Sequence, residues 1–327
     1  MEKPLVSVIV PNYNYATFLP QRMKSILNQS FSNFELILLD DASSDMSVEI
    51  LKNYAKIDNR ITCVFVNKKN SGSPFKQWKK GLETAQGTYI WIAESDDYAE
   101  NSFLEKTVAL LEQHPKAVYC KAGSYLVDEM GRILKKNMDH WPKNQLNSSI
   151  KYRCFSGIDY VVEKMYWKNY IYNASGVLFR REAFLKLDSC GWDSMLYCGD
   201  WYFWTMLAIH GDILEIDERL NFFRQHPVSV TADSKRNELT YINCMKECMH
   251  ITLAVEQHFP INIWQRWFCY GNYYRLFKKE RISLEGKKEL IAGLRCMCKN
   301  PSLAYWMIGI TRLLKETTLS FRSKKAV

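Results

Sequence analysis

The first half of the chain alternates short apolar runs with segments of helical periodicity. Val6–Val10, Phe34–Leu39, Ile61–Val66 and Thr88–Ala93 each read as a short buried strand. Between them, Phe18, Leu19, Met23, Ile26 and Leu27 fall on one face of a helix over residues 16–29. Phe75, Trp78, Leu82 and Ala85 do the same for a helix after Pro74. Ser43, Ser44 and Asp45 offer caps for a helix reaching about Ala55, and Asn101 for one ending near His114 and Pro115. Repeated strand–helix–strand units dictate an α/β fold: a doubly wound, mostly parallel sheet with right-handed crossovers.

After residue 117 the pattern loosens. Val118–Val127 reads as a strand, 129–131 as a turn, 135–156 as a polar loop and 157–167 as a helix. Ser175–Phe179 is a short strand, Trp201–Ile209 an aromatic helix, and Ile213–Phe223 a returning strand. From about residue 235 the pattern is helical only. Charge changes at the same point: residues 235–327 hold 17 Lys and Arg against 7 Asp and Glu, so the net charge of +9 sits in the last part of the chain. The expected organisation is a domain over 1–232, with halves of 1–115 and 116–232, followed by a basic helical region over 233–327. Such a region suits an anionic surface, a membrane leaflet or a phosphorylated carrier.

Several classes are disfavoured. No apolar run is long enough to span a bilayer, because Leu303–Leu314 is short and contains Arg312. The N-terminal residues lack a signal-peptide pattern, and the ten cysteines form no Cys-x-x-Cys pair. Reduced thiols in a cytoplasmic protein are the expectation. The glycine-rich dinucleotide fingerprint and the P-loop are absent, which argues against a Rossmann dehydrogenase or a P-loop kinase. No nucleic-acid-binding motif accompanies the basic residues, and no nucleic-acid partner is expected.

Chemistry collects where the strands end. Pro11-Asn12-Tyr13-Asn14, Asp40-Asp41 and Glu94-Ser95-Asp96-Asp97 each follow an apolar run. In a doubly wound sheet these ends share the carboxyl edge, where ligands bind. Acids there are costly unless they hold a cation or bond a ligand. A divalent ion carrying a diphosphate meets that need. A tyrosine can stack on a base, and a carboxylate can accept a base N–H.

Three segments in order, Ser-Val-Ile-Val-Pro-Asn-Tyr-Asn from Ser7, Leu-Asp-Asp-Ala-Ser-Ser-Asp from Leu39 and Tyr-Ile-Trp-Ile-Ala-Glu-Ser-Asp-Asp from Tyr89, resemble the family-two glycosyltransferases of the GT-A fold. The resemblance covers roughly residues 4–232. It implies an inverting transferase of the bacterial surface-polysaccharide type, taking a nucleotide-diphospho-sugar, a UDP-sugar above others. The acceptor it implies is a glycan or a lipid-linked oligosaccharide. Pro11, Asn12 and Tyr13 would line the nucleoside pocket and Asp41 would bond the base. Asp97 would be the metal ligand of a DXD-type motif, with Asp96 facing the ribose or donor sugar and Mn²⁺ or Mg²⁺ as cofactor. Asp200, at the start of the aromatic helix, matches the family's catalytic base, and Asp193 is the second choice. Arg224, His226, Ser229 and Thr231 form a segment suited to a diphosphate or a metal, with His226 as a further metal ligand. Lys76 is placed to reach a phosphate. The rival reading is a catalytically inactive protein that binds nucleotide-sugars. The expected location is the cytoplasm, with the basic helices in peripheral contact with an anionic membrane at its inner face.

Overall fold

The computed structural model describes residues 3–135, 151–187, 191–226, 237–279 and 282–306. Strands β1 (Val6–Asn12) and β2 (Phe34–Asp40) are buried at every position. That is why neither shows apolar–polar alternation: both faces are covered by helices. β3 (Ile61–Val66) and β4 (Tyr89–Ile92) complete the first half. The helices between are α1 (Leu19–Leu27), α2 (Ser47–Ile57), α3 (Pro74–Thr84) and α4 (Phe103–Gln113). The sheet continues through β5 (Tyr98–Ala99), β6 (Ala117–Val127), β9 (Val177–Arg180) and β10 (Asp212–Arg224), in the order β3-β2-β1-β4-β9-β6-β10-β5. β7 (Ile133–Lys135) pairs with β6, and β8 (Tyr152–Phe155) with β10. β3, β2, β1 and β4 are parallel, and β6 is parallel to β10. β9 is antiparallel to both β4 and β6, so β3, β2, β1, β4, β6 and β10 all point one way and β9 points the other.

The two faces of the sheet have different covers. Val6, Val8, Val10, Leu36, Leu38 and Trp91 belong to one core with Leu19, Met23 and Ile26 of α1, Leu51 of α2, and Phe103 and Leu111 of α4. Each such side chain contributes roughly 1.5–3 kcal/mol through its burial. The opposite face takes α3. A Cβ on Gly81 would lie 2.4 Å from Ile9 Cγ2, so only glycine permits that approach. Trp78 of α3 then meets Phe203 and Trp204 of α7 (Gly199–Leu207), each at a 6.0 Å ring separation.

Local details depart from the sequence expectations. α2 begins at Ser47, because Ser43 is turned back to Asp40, and Asp45 Oδ1 accepts the Ser47 N–H at 2.9 Å. The cap position of α4 is Ser102, while the Asn101 carbonyl accepts from Ser30. Within the expected loop, Tyr152–Phe155 forms β8 against Ile213–Ile216, and 136–150 lie outside the described residues. The helix over 157–167 is an α-turn, α5 (Gly157–Tyr160), followed by a π-turn over Val161–Met165. A 3₁₀ turn over Ala174–Gly176 delays β9, and α6 (Arg181–Leu185) follows that strand.

The chain divides into two compact units, Met1–Ser229 and Val230–Val327. The sheet runs without interruption across residue 115, from β4 through β9 to β6. The second unit contains α8 (Glu238–His258), α9 (Ile263–Lys279) and α10 (Leu284–Met297). Asn237 caps α8 and Ser283 caps α10; the Glu238 carboxylate also accepts from the Ser283 N–H at 3.1 Å. Among the described residues no helix is long and apolar enough to cross a membrane.

Candidate active site

Register places the strand ends together. Asn12 lies beside Asp40 across β1 and β2, and the Ala93 N–H bonds the Ile9 carbonyl. β5 runs back antiparallel to β10, setting Tyr98 opposite Phe222. The turn from Glu94 to Asp97 is thereby held between β1 and the end of β10. Ser95 Oγ donates to the Pro11 carbonyl at 2.6 Å, and the Arg224 N–H donates to Asp97 Oδ1 at 3.0 Å.

This turn concentrates negative charge. Asp97 is 2% exposed. Burial first, then Asp96, pushes its carboxyl up to about 7, against Arg22, the Arg224 N–H and the Ser175 hydroxyl. Burial and the charges of Asp96 and Asp97 push Glu94 up to about 8, although the Trp78 indole N–H donates to Glu94 Oε1 at 2.7 Å. The same three acids, after burial itself, raise the Tyr15 phenol. Asp96 Oδ2 lies 2.9 Å from His226 Nε2. The His226 ring packs on Tyr15 and Phe18 at centroid separations of 5.4 and 5.3 Å. The carboxylate oxygens of this turn are the donor type that suits Mn²⁺ or Mg²⁺, although among the described residues Asp96, Asp97 and His226 do not bring three ligand atoms within 4.8 Å of one another. A cation would relieve the repulsion that raises Asp97 and Glu94.

The expected nucleoside residues divide into exposed and braced groups. Tyr13 is 46% exposed at the rim. Asn12 is buried: its Nδ2 donates to Asp40 Oδ2 at 2.8 Å, and its Oδ1 has no partner among the described residues. The Asp41 carboxylate is engaged by the protein's own donors. It accepts from Asn67 Nδ2 at 2.6 Å, the Ser71 N–H at 3.0 Å, Ser71 Oγ at 2.7 Å and Gln77 Nε2 at 2.8 Å. A base N–H reaching Asp41 must exchange with one of these. Asn14 and Ala42, beside Tyr13 and Asp41, have φ of 55° and 62°. For Ala42 the left-handed backbone costs roughly 1–2 kcal/mol, strain of a kind that gathers at binding sites.

Other predicted residues are occupied in ways their residue type does not disclose. Arg224 is buried and gives its guanidinium to the carbonyls of Asp96, Asp128 and Glu129 and to Gln21 Oε1 at 2.6–3.0 Å. It clamps two turns rather than projecting toward a phosphate. Lys76 is exposed, with Nζ 3.0 Å from the Ser71 carbonyl. Asp193 forms an ion pair with Lys79 at 2.8 Å, a packing role. Ser229 and Thr231 lie outside the described residues.

Asp200 occupies the first turn of α7, where the helix dipole favours a carboxylate. Its Oδ2 accepts from Asn169 Nδ2 at 2.8 Å. Gly199 allows this helix start to sit close: a Cβ there would lie 2.4 Å from the Trp192 carbonyl and 2.6 Å from Phe75. α7 communicates with the acidic turn through Trp78, which touches Phe203 and bonds Glu94.

The sequence reading does not assign Arg22, Ser175, Trp78 or Asn169 to the site. One signal for Arg22 was available. With Leu19, Met23 and Ile26 it falls on the i, i+3, i+4, i+7 face, so a charged residue stands in an apolar stripe, and it is fully buried. Ser175 offers no comparable signal.

Comparison with known proteins bears on the family and the fold. The model of the family described as "Glycosyl transferase family 2" matches residues 7–187. A Bacillus subtilis glycosyltransferase, TuaG, whose name refers to teichuronic acid biosynthesis, is 38% identical over 134 residues, 41% of this chain and 52% of its own. The chain spans about half the length of the first curated relatives it matches. Among solved structures, S. aureus TarS 1-349 in complex with UDP-GlcNAc superposes with a TM-score of 0.63 at 16% identity, covering 89% of this chain and 80% of that one. The mannosyltransferase PcManGT from Pyrobaculum calidifontis, in complex with GDP-Man and Mn²⁺, gives 0.50 at 15% identity, covering 98% and 81%. These likenesses establish a shared fold.

Proposed function

The chain belongs to glycosyl transferase family 2, and on that premise we propose that it moves a sugar from a nucleotide-diphospho-sugar to an acceptor hydroxyl, with inversion. The observation that carries the reading is the 2.9 Å approach of Asp96 Oδ2 to His226 Nε2, next to the buried Asp97, at the sheet edge that also bears Tyr13 and Asp41. Asp97 and His226 are assigned to a divalent cation, Mn²⁺ or Mg²⁺, and Asp96 to the donor. When bound, the cation would neutralise charge on the leaving nucleoside diphosphate. Tyr13 stacks on the base, Pro11 lines the pocket beneath it, and Asp41 accepts a base N–H after exchange with Ser71. Asn12 and Arg224 hold the turns in place, and Lys76 is the exposed cation for a phosphate. Asp200 takes the acceptor proton, Asn169 orients it, and a single displacement needs no enzyme nucleophile.

UDP is the favoured nucleotide, supported by the UDP-GlcNAc complex of TarS. A surface polysaccharide, free or lipid-linked, is the favoured acceptor, supported by TuaG's name. The unit Met1–Ser229 is assigned to catalysis. The helical unit is assigned to peripheral contact with the inner leaflet of the cytoplasmic membrane: Trp264 and Trp306 are each 68% exposed there, and Lys278 and Lys279 end α9.

A thermal-shift panel of UDP-, dTDP- and GDP-sugars, each with and without Mn²⁺, tests the donor class. Metal-dependent stabilisation by one nucleotide is expected. Stabilisation by none of them refutes the transferase reading. Failure of the full chain to bind anionic vesicles at low salt refutes the membrane assignment.

A further inference from the structure

The segment that leads into β9 touches both halves of the site. Asn169 Nδ2 donates to Asp200 Oδ2 at 2.8 Å, and Asn169 Oδ1 accepts the Ile171 N–H at 3.0 Å. The Tyr172 ring lies 6.3 Å from that of Phe223, the neighbour of Arg224. Ser175 Oγ accepts the Glu94 N–H at 3.0 Å. A group resting on residues 168–172 therefore lies beside Asp200.

This segment is lined with cations. Three ammonium groups surround the Tyr170 ring: Lys121 and Lys164 hold Nζ 4.7 Å from its centroid, and Lys168 at 5.6 Å. Lys121 also lies 5.2 Å from the Tyr172 centroid, and Lys164 lies 3.8 Å from that of Phe155. The register of β6 and β10 sets Lys121 directly opposite Glu215. Glu215 in turn pairs with Arg153 at 2.8 Å and with Lys164 at 3.2 Å. Lys168 is exposed and pairs with no carboxylate among the described residues.

An aromatic ring attracts a cation through its quadrupole, by about 0.5–2 kcal/mol, but carries no net charge to cancel it. The rings thus gather these ammonium groups without neutralising them. Burial lowers the Lys164 ammonium to about 8; Glu215 opposes that shift, and Arg153 and Lys121 add to it. The cluster is graded in depth. Lys121 is 7% exposed, the Lys164 side chain 14%, and Lys168 faces solvent. An oxyanion arriving from solvent meets Lys168 first and Lys164 next, in a field that the buried Lys121 strengthens.

We propose that the acceptor carries an oxyanion, a carboxylate or a phosphate, which Lys168 and Lys164 receive beside Tyr170 and next to the Asn169–Asp200 pair. The inference rests on the reading of the protein as a sugar transferase with Asp200 at its acceptor. It adds a charge requirement to that acceptor and a binding contact apart from Asp200.

The test uses the full chain saturated with UDP and Mn²⁺, so that the donor site is filled. The probes are methyl galactoside, its uronate and its 6-phosphate, and the same three forms of methyl glucoside, with binding followed by ligand-observed NMR. Within each set only the group at C6 changes. The uronate or the phosphate is expected to bind at least about tenfold more tightly than its neutral parent, and the tighter of the two identifies the oxyanion. Lys168→Met and Lys164→Met should each weaken that preference, and the double variant should bring it within about threefold at unchanged UDP affinity. Lys164→Met leaves Glu215 its pair with Arg153. Lys279→Met, at an exposed lysine of the helical unit, should leave the preference intact. Neutral glycosides that bind as tightly as both charged forms, or no glycoside binding to UDP-loaded protein, overturn the inference alone. So does a preference that survives the double variant, or one that Lys279→Met lowers equally. Should the double variant not fold, Lys168→Met decides the matter: an undiminished preference overturns the inference. Failure of UDP to bind overturns the transferase reading and the inference with it.

Discussion

Holding Glu94, Asp96 and Asp97 on one turn makes the metal-free protein less stable as pH rises. Burial and Asp96 raise the Asp97 carboxyl from 3.8 to about 7, and burial with its neighbours raises Glu94 from 4.5 to about 8. Between the ordinary and the raised value, the folded chain keeps a proton that the unfolded chain has released. Stability therefore falls with rising pH through that window, and the loss is complete above the folded value. For Asp97, going from about pH 5.5 to about pH 8.5 crosses roughly 1.5 units of the window, or about 2 kcal/mol. Glu94 adds a loss of the same sign. A change of about 2 kcal/mol corresponds to a fall of roughly 4–8 °C in Tm for a domain of this size. The assay is thermal unfolding of chelator-treated protein across that pH range, repeated with Mn²⁺ and with Asp97→Asn. Saturating Mn²⁺ should flatten the fall, because it favours the ionised carboxylates. Asp97→Asn should remove the part due to Asp97. A Tm that stays level or rises with pH in metal-free protein, or an unchanged slope in Asp97→Asn, refutes the reasoning.

Asp200→Asn should lower transfer by about 10²–10⁴-fold and leave UDP affinity in place, which an initial-rate assay with parallel calorimetry reads. Loss of nucleotide binding together with activity would place Asp200 in the scaffold instead. Ser71→Ala removes one donor that competes for Asp41, and should tighten UDP binding by a few-fold, the equivalent of roughly 1 kcal/mol; weaker binding counts against exchange at Asp41. Glu215 is 3% exposed and paired with Arg153 at 2.8 Å and Lys164 at 3.2 Å. Glu215→Leu should cost about 3–5 kcal/mol in urea unfolding, because it removes the buried carboxylate that balances the half-buried Arg153 and Lys164. Ala42→Gly should raise stability by roughly 0.5–1 kcal/mol by relieving the positive φ, and a lower urea midpoint would show that the Ala42 methyl is needed.

The parts of this fold that the sequence discloses are those set by local pattern. β1 through β4 and their helices follow from apolar runs and helical spacing, and the same strands fix which motifs share the carboxyl edge. What stays hidden is how each polar group is spent. Asp40 and Asp41 are neighbours with identical chemistry, yet Asp40 is used by Asn12 and Ser43 at the strand ends, while Asp41 is used by Asn67, Ser71 and Gln77. Nothing in the local pattern around Asp41 specifies those later donors. The two arginines make the same point. Arg224, in a segment suited to phosphate, is consumed by carbonyls because the 128–129 turn closes over it. Arg22, on the otherwise apolar face of α1, lies beneath the acidic turn because α1 crosses that end of the sheet. Residue type and spacing select the sheet edge, but tertiary closure decides which of its charges remain available to a ligand. The acidic turn is supported from beneath and beside: Trp78 donates to a Glu94 carboxylate oxygen, Arg22 to the Glu94 carbonyl and the Arg224 N–H to Asp97 Oδ1, while Ser175 Oγ accepts the Glu94 N–H.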